Sequence, residues 1–262
     1  MTDRRRRQKE QRAARRQAEK KQEARKELGR RLGTAVVFGL VVVGIFAVGA
    51  IFGGDEGDLP GSYEGFRNQP TACGADQPDP EAVLRFDEPQ VQPDITADAT
   101  VVATLVTSCG EIAIELDPEG YPETVNSFVF LAREGFFDGQ VFYRVAEGFR
   151  VFAGDPEGTG TGGPGYRIAD ERPPADFVYG PGAVVMDNVG KGTTGSQFFI
   201  VIGESAAALN PQFNLLGEVI SGEDTLERIA GVETARRPGS RENSLPLETA
   251  YIESATVVVT GS

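Results

Sequence analysis

The side chains that most often do chemistry are scarce in this chain. It has no His, which excludes a Ser–His or Cys–His nucleophile, a His-ligated metal and a His proton shuttle. Its two Cys, Cys73 and Cys109, are too few for a four-thiolate zinc site. Nothing in the sequence requires a metal or an organic cofactor. The informative residues fall in three stretches. Phe142-Tyr-Arg144-Val-Ala-Glu-Gly148-Phe149-Arg-Val-Phe152-Ala-Gly154-Asp155 sets an arginine among aromatic residues. Gly160-Thr-Gly-Gly163, read alone, is an ordinary turn or an anion-binding nest. Gly195-Ser-Gln197-Phe-Phe199-Ile200 puts an amide before two aromatics. A guanidinium is always charged and supplies rigid donors, so it can stabilise a displaced charge without forming a bond. An arginine on a strand can equally be half of a surface ion pair.

The elements that must position these residues lie in a strongly divided chain. Residues 1–33 hold 14 Lys/Arg against 5 Asp/Glu, a net of +9, while the other 229 residues carry a net of −22. The acidic bulk argues against nucleic-acid binding by the main body. Between Arg31 and Asp55 there is no charged residue, and 34–52 are almost wholly apolar. About 20 such residues span a bilayer core as a helix. The expectation is a single transmembrane helix, with a cleaved signal peptide as the rival. The positive-inside rule puts 1–33 in the cytoplasm and 55–262 outside. The basic arm is either a topology signal alone or also a headgroup-binding segment.

Residues 53–98, with six prolines from Pro60 to Pro93, read as an extended, poorly packed linker that lifts the domain from the membrane. Outside the cytoplasm, Cys73 and Cys109 suggest a disulfide, with two free thiols as the alternative. Alternation in 100–107 and 111–116 about the turn Ser108-Cys109-Gly110 predicts a β-hairpin. Pro122, an apolar face of Val125, Phe128, Val129 and Ala132, and Gly135 predict a helix. Strands are expected at 141–145, 184–186, 197–202, 217–220 and 252–259. A second helix is expected after a capping-box-like Ser221 and Asp224, with Leu226 and Ile229 inward and Gly231 as its stop. Phe198 and Phe199 alternate on one strand, so Phe198 is assigned to the core. Short strands, two helices and Gly/Pro-rich loops suggest a closed antiparallel barrel.

The three informative stretches, in this order and spacing, resemble the cyclophilins, with Pro122-Glu-Thr-Val-Asn-Ser-Phe128 like that family's first helix. The resemblance covers roughly 99–260, within a domain taken as 99–262, and implies a mainly β fold: a closed eight-stranded antiparallel barrel capped by two helices. It implies cis/trans isomerisation of the peptide bond before proline, on Pro-containing polypeptides. By the same resemblance Arg144 is the catalytic cation. Phe149, Met186, Phe199, Leu209 and Phe213 form the proline pocket, and Asn188 and Gln197 bind the substrate backbone.

The sequence departs from the family pattern at several positions. Phe152 replaces a usual Gln that orients substrate and arginine, which implies lowered activity. Asp187 replaces a small residue and is expected either to compete for Arg144 or to favour basic substrates. Ala208 stands where a Trp is common, implying weak or no cyclosporin binding. The loop Lys191-Gly192-Thr193-Thr194 lacks the common Asn and Pro. The leading expectation is an isomerase assisting the folding of exported proteins at the outer face of the membrane. The alternative is a weakly active or inactive module that binds Pro-containing peptides.

Overall fold

A computed structural model describes residues 61–204, 206 and 209–261. The basic arm, the apolar segment 34–52 and Ala208 lie outside the described residues. Among the described residues, no helix is long and apolar enough to cross a membrane.

The first described element is a short helix α1 (Tyr63–Arg67), capped by the Ser62 hydroxyl, which accepts from the Gly65 N–H at 3.1 Å. The predicted hairpin follows as β1 (Thr100–Thr107) and β2 (Gly110–Leu116), paired Val101 to Leu116 and Leu105 to Ile112. Val101, Ala103, Leu105, Ile112 and Ile114 are fully buried, as their period of two requires. Helix α2 (Pro122–Arg133) has Pro at its start and buries Val125, Phe128, Val129 and Ala132. It also buries Phe130 and Leu131, because a second layer covers its other side.

The remaining elements are β3 (Arg144–Ala146), β4 (Arg150–Ala153), β5 (Ala183–Met186), β6 (Phe198–Val201), β7 (Leu215–Ser221), α3 (Glu223–Ala230), β8 (Thr234–Arg236), β9 (Asn243–Pro246) and β10 (Ile252–Thr260). Helix α3 buries Leu226 and Ile229 and ends at Gly231. Its start differs from expectation. The N-cap is Gly222 at φ 97°, with no side-chain cap. The strand β7 runs through Ser221, so that residue is spent in the sheet. A Cβ on Gly222 would come within 2.2 Å of the Glu111 carbonyl oxygen, and positive φ is itself the glycine region.

Eight strands form one curled antiparallel sheet in the order β10-β1-β2-β7-β5-β6-β4-β3. The ladder does not continue from β3 to β10. Instead, single bonds join the stretch before β3 to the start of β10 and the residues leading into it: Gly139 N–H to the Ile252 oxygen, Phe142 N–H to Ala250, and Ile252 N–H to Gln140. The main core lies on one face of the sheet, with α2, α3, Phe128, Phe137, Phe198 and Ile200. A second cluster lies on the opposite face of β4, β5 and β6, around Phe152, Val185 and Phe199.

Residues 61–98 are not a loose linker. Phe66 and Ala72 are fully buried, and Phe86 packs edge-on against Phe130 of α2 at 4.9 Å. Backbone bonds run from Ala72 N–H to Thr249 and from Thr249 N–H to Pro70. Cys73 and Cys109 form a disulfide with Cα atoms 5.2 Å apart. Proline content describes a chain that cannot form regular structure by itself; it says nothing of the surface that the segment's few aromatics will find. This strap is the layer that covers the second side of α2. The β8–β9 hairpin also went unanticipated. Its strands are three and four residues long, too short to show a period.

Candidate active site

The site is built across four neighbouring strands. Arg144 of β3 pairs with Phe152 of β4, Phe152 with Phe199 of β6, and Phe199 with Val185 of β5. Residues in register share a face, so these side chains form one transverse row. The Phe152 and Phe199 rings lie 5.5 Å apart. Phe213 continues the row, edge-on to Phe199 at 5.5 Å. Its backbone is clamped by Tyr179, whose hydroxyl donates to the Phe213 oxygen at 2.7 Å and accepts from its N–H. Phe149 and Leu209 pack at the edge of the same cluster, partly exposed.

Arg144 is held twice. Its guanidinium carbon lies 4.5 Å from the Phe152 ring centroid, a cation–π contact. Its Nη2 also makes an ion pair with Glu242 of the β8–β9 loop. The Arg144 and Glu242 side chains retain 27% and 33% exposure, so the pair sits at the rim. The Glu242 carboxylate accepts in addition from the Ser244 hydroxyl at 3.1 Å. Phe152 was expected to leave Arg144 without an orienting partner. In the structure the ring itself and Glu242 take that place.

The amide of Gln197 is fixed at both ends. Its oxygen accepts from the Tyr143 hydroxyl at 2.7 Å, and its nitrogen donates to the Gly162 oxygen at 2.8 Å. Gly162 belongs to a loop folded around the buried Asp155, which accepts from the N–H groups of Glu157, Gly160 and Gly162. A Cβ on Gly162 would stand 2.0 Å from the Asp155 carboxylate, so only glycine fits. A cleft of about 150 Å³ opens beside this loop, lined by Gly162, Asp187, Asn188, Ser196 and Gln197. The Asn188 amide donates to the Gln212 oxygen at 3.3 Å.

Two expectations are corrected. Met186 does not join the aromatic row. It pairs with Phe198 and lies in the main core, because it is one residue beyond Val185 and so points to the other face. Asp187 is not the ion partner of Arg144. Burial raises its carboxyl above the ordinary value, against the pull of Arg150, the Asn188 backbone and Arg144.

The site also contains residues not singled out above. Arg150 lies over the rings of Phe149, Phe152 and Phe199; its separation of two from Phe152 was the available signal. Arg237 lies 5.7 Å from the Tyr143 ring and donates to the Thr159 oxygen at 2.7 Å. Glu242 and Arg237 come from the hairpin, and no local pattern announces them.

A rigid cation beside a row of aromatic rings, with a fixed amide and no nucleophile in the row, can grip an apolar ring and polarise an amide without covalent chemistry. Together with the curled antiparallel sheet, that defines the rotamase type of site. The family model described as "Cyclophilin type peptidyl-prolyl cis-trans isomerase/CLD" matches residues 102–257, and the chain belongs to that family and is an isomerase of it. It is 40% identical over 174 residues to the "Probable peptidyl-prolyl cis-trans isomerase A" of Mycobacterium bovis, covering 61% of this chain and 93% of that protein. It is 47% identical over 118 residues to the "Peptidyl-prolyl cis-trans isomerase B" of Bacillus subtilis, covering 45% and 82%. A crystal structure of a Cryptosporidium parvum cyclophilin type peptidyl-prolyl cis-trans isomerase superposes with a TM-score of 0.53 at 27% identity, covering 63% of this chain and 99% of that one. Another structure of that protein, in the presence of the dipeptide Ala-Pro, gives a TM-score of 0.52.

Proposed function

We propose that this isomerase acts at the outer face of a membrane, on Pro-containing segments of exported proteins, with 34–52 as its anchor. The charge division and the uncharged segment 34–52 support the anchor and its orientation. The Cys73–Cys109 disulfide supports an oxidising, extracytoplasmic setting. The bonds between 139–142 and 250–252 support reading the curled sheet as a closed barrel.

An X–Pro bond turns over a barrier of about 18–20 kcal/mol because amide resonance is broken on the way. The twisted amide differs from the planar one mainly in charge distribution. A group that favours the twisted form more than the planar one accelerates the reaction. Arg144 has that role in our account. Phe149, Phe199, Leu209 and Phe213 receive the proline ring, while Gln197 and Asn188 engage the backbone beside it. Glu242 and the Phe152 ring hold the guanidinium in place, so the approach of substrate does not have to order it. Ala208 stands where the family commonly has a Trp that often supports cyclosporin binding, so the drug is expected to inhibit weakly or not at all.

The observation that carries the enzymatic reading is the transverse row from Arg144 to Phe199. Its test is a protease-free isomerisation assay on the full chain, with loss of rate on Arg144→Ala. For topology, protease added to intact cells should digest the domain; complete protection would overturn the orientation.

A second reading, a module that holds proline segments with little turnover, is favoured by one feature. The guanidinium of Arg150 stands over Phe149 and Phe199, two of the rings that would take the proline. Peptide binding without acceleration of isomerisation would select that reading.

A further inference from the structure

Arg150 and Phe152 share one face of β4. The Arg150 guanidinium carbon lies 4.5 Å from the ring centroid of Phe149, 4.7 Å from Phe152 and 4.6 Å from Phe199. Phe149 and Phe199 are rings to which the reading above brings the substrate's proline, and Phe152 lies between Phe199 and Arg144. In the free protein that space is filled by a cation. Arg144 stacks on Phe152 as well, so two guanidinium groups share one ring and repel each other.

The position is also poorly satisfied. Nε and Nη1 of Arg150 are buried and have no hydrogen-bond acceptor among the described residues. Buried guanidinium donors ordinarily find one, and leaving them without is costly. Asp187 and Glu242 attract Arg150, while burial and Arg144 weaken its hold on its proton. Neither carboxylate bonds to those two nitrogens. Burial also raises the carboxyl of Asp187, so that group is a reluctant partner. Arg150 nevertheless keeps part of its surface open to solvent, so it can leave the rings without moving the strand.

We propose that Arg150 is the specificity-determining residue of this groove, giving up the rings to an entering proline and pairing its freed guanidinium with a carboxylate carried beside that proline. The proposal rests on the isomerase groove described above and names its substrate class: Pro-containing segments with Asp or Glu next to the proline. A carboxylate supplies the acceptor that the guanidinium lacks in the free protein. A Lys or Arg in the same place meets a displaced like charge.

The test uses the full chain and short peptides that differ only in the residue before proline: Glu, Ala or Lys. Exchange NMR reads isomerisation without a coupled protease, and titration of the same peptides reads binding. The Glu peptide is expected to be favoured over the Lys peptide by about tenfold or more, the scale of one charge-assisted hydrogen bond. The preference should shrink at high salt. Arg150→Met should level the three peptides to within about twofold, while Arg150→Lys keeps the order with a smaller spread. A flat or reversed ranking in the unmodified chain overturns the proposal without any variant, and so does a ranking that survives Arg150→Met. The ranked binding without turnover would sink the isomerase reading and leave the proposal standing. Turnover without ranking would do the reverse. Failure of every peptide to bind refutes both.

Discussion

The Cys73–Cys109 disulfide ties the 61–98 strap to the turn between β1 and β2, and removing it should be felt in stability rather than in catalysis. The bridge closes a loop of 36 residues. In the chain-entropy treatment, that loop takes about 13 cal/mol/K from the unfolded ensemble, or about 4 kcal/mol at 25 °C. The native strap has other anchors: buried Phe66 and Ala72, the contact of Phe86 with Phe130, and the bonds between Pro70–Ala72 and Thr249. It therefore stays docked when the bridge is absent, and the loss falls on the unfolded side. The double variant Cys73→Ser, Cys109→Ser should lose about 3–4 kcal/mol in urea unfolding followed by far-UV circular dichroism, with a somewhat larger m-value because the unfolded chain without the bridge is less compact. Its Tm should fall by roughly 6–16 °C, at about 2–4 °C per kcal/mol for a unit of this size. Isomerisation at 25 °C should be unaffected, because β3 to β6 carry the row and neither cysteine lies on them. A loss below about 1 kcal/mol would refute the entropic argument. Thiol labelling of both cysteines before reduction would refute the bridge itself.

Glu242→Gln should lower kcat by about three- to tenfold with little change in KM, because a rim ion pair contributes little to stability but fixes the group that acts in the transition state; an unchanged kcat would remove Glu242 as a positioning residue. Phe152→Gln should destabilise the fold by about 2–4 kcal/mol, since a fully buried ring is replaced by an amide. If thermal unfolding moves little, the row is looser than described. Asp187 has a folded carboxyl pKa raised above 3.8 by burial. Its stabilising contribution is therefore complete below pH 3.8 and lost as pH rises through the folded value. Asp187→Asn should be more stable than the parent at pH 7, with the difference vanishing below pH 3.8. A pH-independent difference would contradict that cause.

What could be read from the residues divides along a physical line. Local periods locate what packs against the main core: the β1–β2 hairpin, the inward face of α2, and Phe198 opposite Phe199. The same rule, applied with the antiparallel register, would have sent Met186 inward and Arg150 outward beside Phe152. Resemblance carried Met186 into the pocket because it reads position along the chain and not facing. The strap, Glu242 and Arg237 were beyond any local rule. Their contacts span long separations, 98 residues for Arg144 with Glu242, and depend on side chains whose neighbourhoods look polar and irregular. The consequence is functional. Phe152 looked like a lost hydrogen bond, yet the structure supplies its replacement from a hairpin that the sequence does not announce.

The central claim is that Arg144, held against Phe152 by Glu242, accelerates rotation of the X–Pro bond. Its most direct test is the protease-free isomerisation rate of the full chain beside Arg144→Ala, with folding checked by circular dichroism. The account predicts a folded variant whose kcat/KM falls by about 100-fold or more, the scale of one preorganised electrostatic group. Equal rates for the two proteins would contradict it.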